Sequence, residues 1–243
     1  MSNESQQIVL TRPIRRIVWS LISHMRLFLK VDIHPVITNS FMAIHYFFQN
    51  GKPKKYKLYI IIITSVFTSC KKNEISRSLY EIFRSFLKSC DHFSKVMDKS
   101  IIYSVVGIND FENSQISDND LRLVNDCELD LIEANDCQIG VNIPLNYIYE
   151  NVLPHLSVLP SDVSAKIRNA LITSLSALLC SEHCLDYDPE IMAVTATRIA
   201  FGDNAIPEPI MKWVQKIIND AGEKTMDDAK KLFNEQINEI TNQ

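Results

Sequence analysis

Glycine occupies only five of the 243 positions: Gly51, Gly107, Gly140, Gly202 and Gly222. Glycine supplies the positive-φ corners that tight hairpins and phosphate-cradling loops depend on. Its scarcity therefore argues against a hairpin-rich sheet and against a glycine-rich nucleotide loop, and leaves helices as the expected building material. A chain of this length can bury a full core as one large domain or two small ones, and two small ones are expected.

The pattern along the chain fits that expectation. Ile14, Ile17, Val18, Leu21 and Ile22 recur at helical spacing after Pro13, giving a first helix to about Lys30. Its apolar face, with Trp19, reads as core rather than as a docking groove. Pro35 opens a second helix, Val36 to Phe48, whose predicted stop is a left-handed Gly51 followed by Pro53. Tyr56 to Cys70 is ambiguous by propensity, because four consecutive isoleucines favour a strand, but its unbroken length selects a buried helix. Ile75 to Cys90 is amphipathic, with Leu79, Ile82, Phe83 and Phe86 opposite Arg77, Glu81, Arg84 and Lys88. After a weak stretch through Gly107 to Gln115, Ser117, Asp118 and Asp120 mark the start of a helix reaching about Asp136.

Gly140 and Pro144 then break the chain. Helices follow at Pro144 to Leu156, from Pro160-Ser161-Asp162 toward Cys184, at Glu190 to Phe201, at Ile210 to Asp220 and at Lys224 to Ile240. Five helices, a break and about five more imply a duplicated helical unit, although no letter-by-letter repeat is visible. The expected organisation is a tail over 1–12, a first unit over 13–142, a second over 143–222, and a final helix over 223–243.

Several functional classes are disfavoured by composition. The longest apolar run, Leu58 to Phe67, is interrupted by Thr64 and Ser65 and falls well short of the ~20 residues that span a bilayer. Met1 to Gln7 lacks the basic start and apolar stretch of a secretion signal, so an intracellular protein is expected. The six cysteines then read as buried, reduced thiols. A net charge of −4 gives no overall attraction to a phosphate backbone, so nucleic acid is not an expected partner. Neither a G-x-S-x-G elbow nor an H-E-x-x-H pair occurs, so no catalytic residue is assigned. Cys180, His183 and Cys184 share a helical turn, with Cys137 as a conceivable fourth ligand, but C-x2-H-C is not a usual zinc spacing. No metal and no cofactor are expected. Lys52, Lys54, Lys55 and Lys57, interleaved with Tyr56 and Tyr59, read as a solvated helix entrance or a contact for an acidic partner.

Three stretches carry a resemblance. Phe67-Thr68-Ser69-Cys70-Lys71-Lys72-Asn73-Glu74 resembles the pattern F-L-A-[SC]-K-x-x-E at the end of the third cyclin helix. Asp126-Cys127-Glu128-Leu129-Asp130-Leu131-Ile132-Glu133, followed by Val141-Asn142-Ile143-Pro144, resembles E-x-E-x-x-L-[LI] and V-x-x-P of the fifth helix and the second repeat. Asp188-Pro189-Glu190-Ile191-Met192-Ala193-Val194-Thr195-Ala196 resembles the start of the third helix of that repeat. Together they resemble the cyclin family over about residues 14 to 220, and the transcription-associated members (C, H, K, L and T) more than the mitotic ones.

The resemblance implies two consecutive five-helix cyclin-box repeats with an extra C-terminal helix, an all-α fold. It also implies a non-catalytic, nuclear regulatory subunit that binds and activates a cyclin-dependent protein kinase, one acting in transcription. Lys71 falls on the family's lysine, Glu128 on the acid that pairs with it, and Glu74 on the last acid of the motif; with Lys72 these are the expected kinase-binding residues. The chain departs from the pattern at Asn73, where a glutamate is usual, at Tyr46, where an arginine precedes Phe47, and at Leu145, where tyrosine follows the proline. Two other readings are a cyclin-fold general transcription factor, which calls for a basic DNA face and a zinc ribbon that the sequence lacks, and a helical scaffold without a kinase partner.

Overall fold

The computed structural model describes residues 9–31, 33–108, 110–111, 114–135, 143–181, 184–222, 225 and 227–231. Among them the chain is all-helical, without a strand. It divides into two compact units, Met1–Val141 and Asn142–Gln243.

The first unit contains α1 (Arg12–Leu29), α2 (Thr38–Asn50), α3 (Leu58–Lys72), α4 (Leu79–Ser94), α5 (Lys99–Val106) and α6 (Asp118–Ala134), with a π-helical turn at Ile33–Ile37 leading into α2. Its axis is α3. From Leu58 to Val66 every residue is buried, and Ile60, Ile61, Ile62 and Ile63 have no solvent exposure at all. Such a helix needs neighbours on every side, and α2, α4 and α6 pack against it while α1 and α4 pack on each other. Thus the isoleucine run is helical because burial and length outweigh β-propensity. Ile17, Val18 and Leu21 of α1 are core, and Trp19 sets its ring edge-on to Phe41, 5.1 Å between centroids.

The ends of these helices use several devices. Capping boxes Ser78/Glu81 and Ser117/Asp120 start α4 and α6. The first box moves the predicted start at Ile75 to Leu79. Arg77 donates Nε and one terminal nitrogen to the Leu29 carbonyl at 2.9 and 2.8 Å, capping the C-terminus of α1 from the turn before α4. The predicted left-handed Gly51 is corrected: its φ is −102° and it is extended. Glycine is needed there for a different reason, since a Cβ would overlap the ring of the fully buried Phe47 at Cδ2. Helix α5, in a stretch to which the sequence assigned no helix, is capped by Asp98 and stops at Gly107 with φ +70°.

The second unit contains α7 (Pro144–Asn151), a 3-10 segment Leu153–Val158, α8 (Ser161–Leu179), α9 (Pro189–Phe201) and α10 (Glu208–Ala221). The helix expected to Leu156 ends at Asn151, and the one expected toward Cys184 ends at Leu179. Here α9 is central, packed by α7, α8 and α10. Met192 to Thr197 are buried, and Ala193 and Ala196 allow close approach. The buried Thr195 and Thr197 hydroxyls donate to the carbonyls of Ile191 and Ala193, both at 2.8 Å. Trp213 Nε1 donates to Glu190 Oε1 at 2.9 Å, joining α10 to α9. Residues 225 and 227–231 are helical; the other residues of the final helix predicted to Ile240 lie outside the described residues.

Cys70, Cys90 and Cys127 are buried free thiols, and Cys180 and Cys184 are buried as well. Cys137 and His183 lie outside the described residues, among which no cluster of three or more metal-ligating side chains occurs. No helix among the described residues is long and apolar enough to cross a membrane.

Helices α1 and α4 meet through a histidine stack, His24 on His92, with centroids 4.2 Å apart. Ser89 Oγ donates to the Ser85 carbonyl, so His24 Nδ1, 3.2 Å from that oxygen, is the donor of their contact. Burial, and then the charge of His92, hold His24 below the ordinary histidine value. The unfolded chain therefore binds more protons as pH falls below about 6.5, and the first unit loses stability in that window. Urea midpoints measured near pH 7.5 and pH 5.5 should differ by less in His24→Gln than in the parent. Gly51→Ala should cost about 1–3 kcal/mol in urea unfolding through the clash with Phe47. Gly107→Ala, strained in φ but sterically open, should cost about 1 kcal/mol.

Candidate functional site

Helices α3 and α6 carry the residues singled out by the sequence. Lys71 stands in the last turn of α3 and Glu128 in the middle of α6, 57 residues later. Lys71 Nζ donates to both Glu128 oxygens at 2.9 Å, and Thr68 Oγ1, one turn earlier on α3, donates to Oε1 at 3.0 Å. The carboxylate is thus held from two successive turns of the facing helix. Its side chain is 14% exposed, whereas that of Lys71 is 54% exposed and lies 4.7 Å over the Phe67 ring. With Lys71 this open to water, the ion pair contributes at most about 1 kcal/mol to folding.

The rest of the α3–α6 crossing is fixed by two aspartates. Tyr59 donates to Asp120 Oδ1 at 2.6 Å, while Asp120 Oδ2 closes the Ser117 capping box. Burial, and then that hydrogen bond, push the Tyr59 phenol up. Tyr56 and Lys55, just before α3, both donate to Asp130 Oδ2, at 2.7 and 3.0 Å. The Tyr56 hydrogen bond, with Lys55 adding to it, holds Asp130 below the usual carboxylate range. Burial, first, pushes the Tyr56 phenol up to about 12. An acidic partner of the Lys52–Lys57 cluster therefore lies within the chain: it is α6. Between these anchors the buried Cys127 thiol is pushed up to about 12 by desolvation, which makes it a packing residue and not a nucleophile.

Lys72 and Glu74 complete the predicted set and do not join the Lys71–Glu128 pair. Lys72 is half-buried, with no hydrogen bond or ion pair among the described residues, and burial lowers its ammonium from the ordinary lysine value. Glu74 closes α3 with φ +56°. Its N–H donates to the Lys71 carbonyl at 3.1 Å, and the N–H of Ile75 donates to the Cys70 carbonyl at 2.9 Å. This is a Schellman turn with glutamate at the left-handed position that glycine normally takes. Asn73, off the family pattern, donates its side-chain amide to the Ser69 carbonyl at 2.7 Å.

No family model matches the sequence, and no curated protein matches it significantly.

Thr68, Tyr56, Tyr59, Asp120 and Asp130 belong to the site's framework and were not singled out beforehand as contacts between α3 and α6. Their spacing carries no signal, because the partners are 60 to 75 residues apart and only the helix crossing brings them together. The αL strain at Glu74 makes its own prediction: Glu74→Gly should raise unfolding stability by roughly 0.5–1 kcal/mol, read as a higher urea midpoint at unchanged slope.

Proposed function

We propose that this chain is a cyclin-type regulatory subunit, which binds a cyclin-dependent protein kinase and holds the mobile helix of that kinase in its active position. The supporting observation is the Lys71–Glu128 pair, formed between the end of α3 and the middle of α6 by the two residues on which the resemblance placed it. An activating subunit of this kind performs no chemistry. It needs a rigid surface with directed, spare hydrogen-bonding groups, so that the kinase's own lysine–glutamate pair is preserved.

The pair has such groups. A lysine ammonium has three N–H donors, and two of the three on Lys71 are committed to Glu128. The third is open to a backbone carbonyl of the partner. Glu128, already oriented by Thr68, retains lone-pair capacity for an incoming N–H. Charge-assisted hydrogen bonds of this kind are worth about 1.5–3 kcal/mol each when water is excluded by docking. Lys72 adds a half-buried ammonium without an acid against it, and Leu129, one residue after Glu128, is 70% exposed and offers apolar area. A partner in transcription, and a nuclear location, follow from the subgroup that the motifs resemble most.

The test is affinity purification of the full chain from its own cells with identification of bound kinases. A cyclin-dependent kinase should co-purify. Lys71→Ala and Glu128→Ala should each reduce its recovery at least about ten-fold, which corresponds to one lost charged hydrogen bond. Far-ultraviolet circular dichroism should be unchanged in both variants. Recovery of no kinase by the parent chain, or undiminished recovery by both variants, would sink the reading.

A further inference from the structure

A second constellation, which shares no residue with the Lys71–Glu128 pair, lies along α4. Tyr80, Phe83, Arg84, Leu87, Lys88 and Asp91 succeed one another at helical spacing and form one wall of a cavity of about 430 Å³. Phe111, Ser114 and Gln115, in the segment between α5 and α6, form the other. The volume is in the range of small-ligand pockets, ~300–1,000 Å³. Its walls divide into two kinds of surface. Phe83, Leu87 and Phe111 are buried and present apolar area at the base. Arg84 and Lys88, one turn apart, are exposed cations at the rim.

Among the described residues the charge at that rim is uncompensated. Arg84 has no ion pair or hydrogen bond among the described residues. The Lys88 ammonium is held 5.1 Å over the Phe28 ring, a contact that positions it without neutralising it. Asp91 is the one acid lining the cavity among the described residues, and Lys95 binds its Oδ2 at 2.7 Å. Ser114 and Gln115 add neutral polar groups opposite. In a chain with a net charge of −4, a concave site with two available cations above an apolar floor selects for one chemistry.

We propose that this cavity binds an organic anion, a phosphate or carboxylate group carried on an aromatic or branched aliphatic body. The anionic group sits between the Arg84 guanidinium and the Lys88 ammonium, and the body rests against Phe83, Leu87 and Phe111. Guanidinium suits this task because its planar fork matches two oxygens of a phosphate or carboxylate. The same chemistry has two possible sources, a free small molecule or an acidic side chain of a bound peptide. The site is independent of the kinase-binding reading, since it uses neither Lys71 nor Glu128.

The experiment is an NMR titration of the full chain followed at the Leu87 methyl groups. The ligands are phenyl phosphate, inorganic phosphate, benzyl alcohol, and a capped pentapeptide of alanines around one phosphotyrosine. Phenyl phosphate should give saturable shifts in the millimolar range or tighter, with inorganic phosphate weaker and benzyl alcohol unsaturated at about 10 mM. Its affinity should fall as pH drops below about 6, where the phosphate takes up its second proton. Arg84→Gln should weaken it at least about ten-fold and Lys88→Gln about three-fold, while Lys71→Ala leaves it unchanged. Both charge variants sit on exposed positions of α4, and unchanged circular dichroism checks that they fold. Peptide binding tighter than phenyl phosphate identifies a protein side chain as the ligand; weaker binding identifies a free small anion. No saturable Leu87 shift with either phosphorylated probe, or equal affinity in the Arg84→Gln variant, would overturn the proposal.

Discussion

The first unit depends on the burial of α3 on all sides. Leu58 to Val66 offers no face that water could wet, so the helix exists only while its neighbours cover it. That requirement sets the pattern of the neighbours. Helix α4 turns Ile82, Phe83 and Phe86 inward and leaves Glu81, Arg84 and Lys88 outside, and α1 does the same with Val18, Leu21, Ile22 and Met25. It also sets where α3 can carry charge. An ionised group in its middle would be stripped of water without compensation, so the charges gather at the approach, Lys55 and Lys57, and in the last turn, Lys71 and Lys72. The candidate kinase surface lies at a helix end because the rest of the helix has no room for it.

The polar residues of α6 answer that distribution. Asp120 and Asp130 receive Tyr59, Tyr56 and Lys55 near the start of α3, and Glu128 receives Thr68 and Lys71 near its end. Two helices joined only by apolar contact can slide or rotate, whereas directed hydrogen bonds at both ends of α3 define one crossing. Burial raises Tyr56, and the hydrogen bond from Tyr56 lowers Asp130, changes that favour the protonated phenol and the ionised carboxylate of the folded state. Lys71 is therefore presented on a helix whose orientation is already determined, and the side chain itself adds little to folding. Folding depends little on this residue, so its substitution can test the proposed binding role.

How much of this was visible in the sequence depended on the range of the interaction. The helices α1, α3, α4, α6, α9 and α10 follow from apolar spacing and proline starts, and even the isoleucine run was readable from its unbroken length. Helix ends were less legible. Gly51 is a packing glycine beneath Phe47 and not a left-handed one, a distinction that only the position of the ring reveals. Helix α5 is eight residues long and buries just Ile102 and Val106, too few apolar positions to display a period. The Lys71–Glu128 pair could be named beforehand only through resemblance, since nothing in spacing joins residues 57 apart. Tyr56, Tyr59, Asp120 and Asp130 had no such guide.

The scarcity of glycine reaches further than fold class. With few glycines available to take the left-handed position after a helix, the ends must be closed otherwise, and asparagine is used repeatedly. Asn73 at the end of α3, Asn135 at the end of α6 and Asn151 at the end of α7 each donate a side-chain amide to the carbonyl four residues back, at 2.7, 2.6 and 3.0 Å. Lys30 and Glu74 take up left-handed backbone themselves, and Arg77 covers the last carbonyl of α1. The departure from the cyclin pattern at Asn73 has its physical reason here. The Ser69 carbonyl accepts the Asn73 backbone N–H at 3.2 Å, and the asparagine amide adds a second hydrogen bond that a glutamate side chain, which has no N–H, does not supply beside a strained Glu74. The residue that is off pattern thus closes the turn that follows Lys71, and what it does there is to hold backbone.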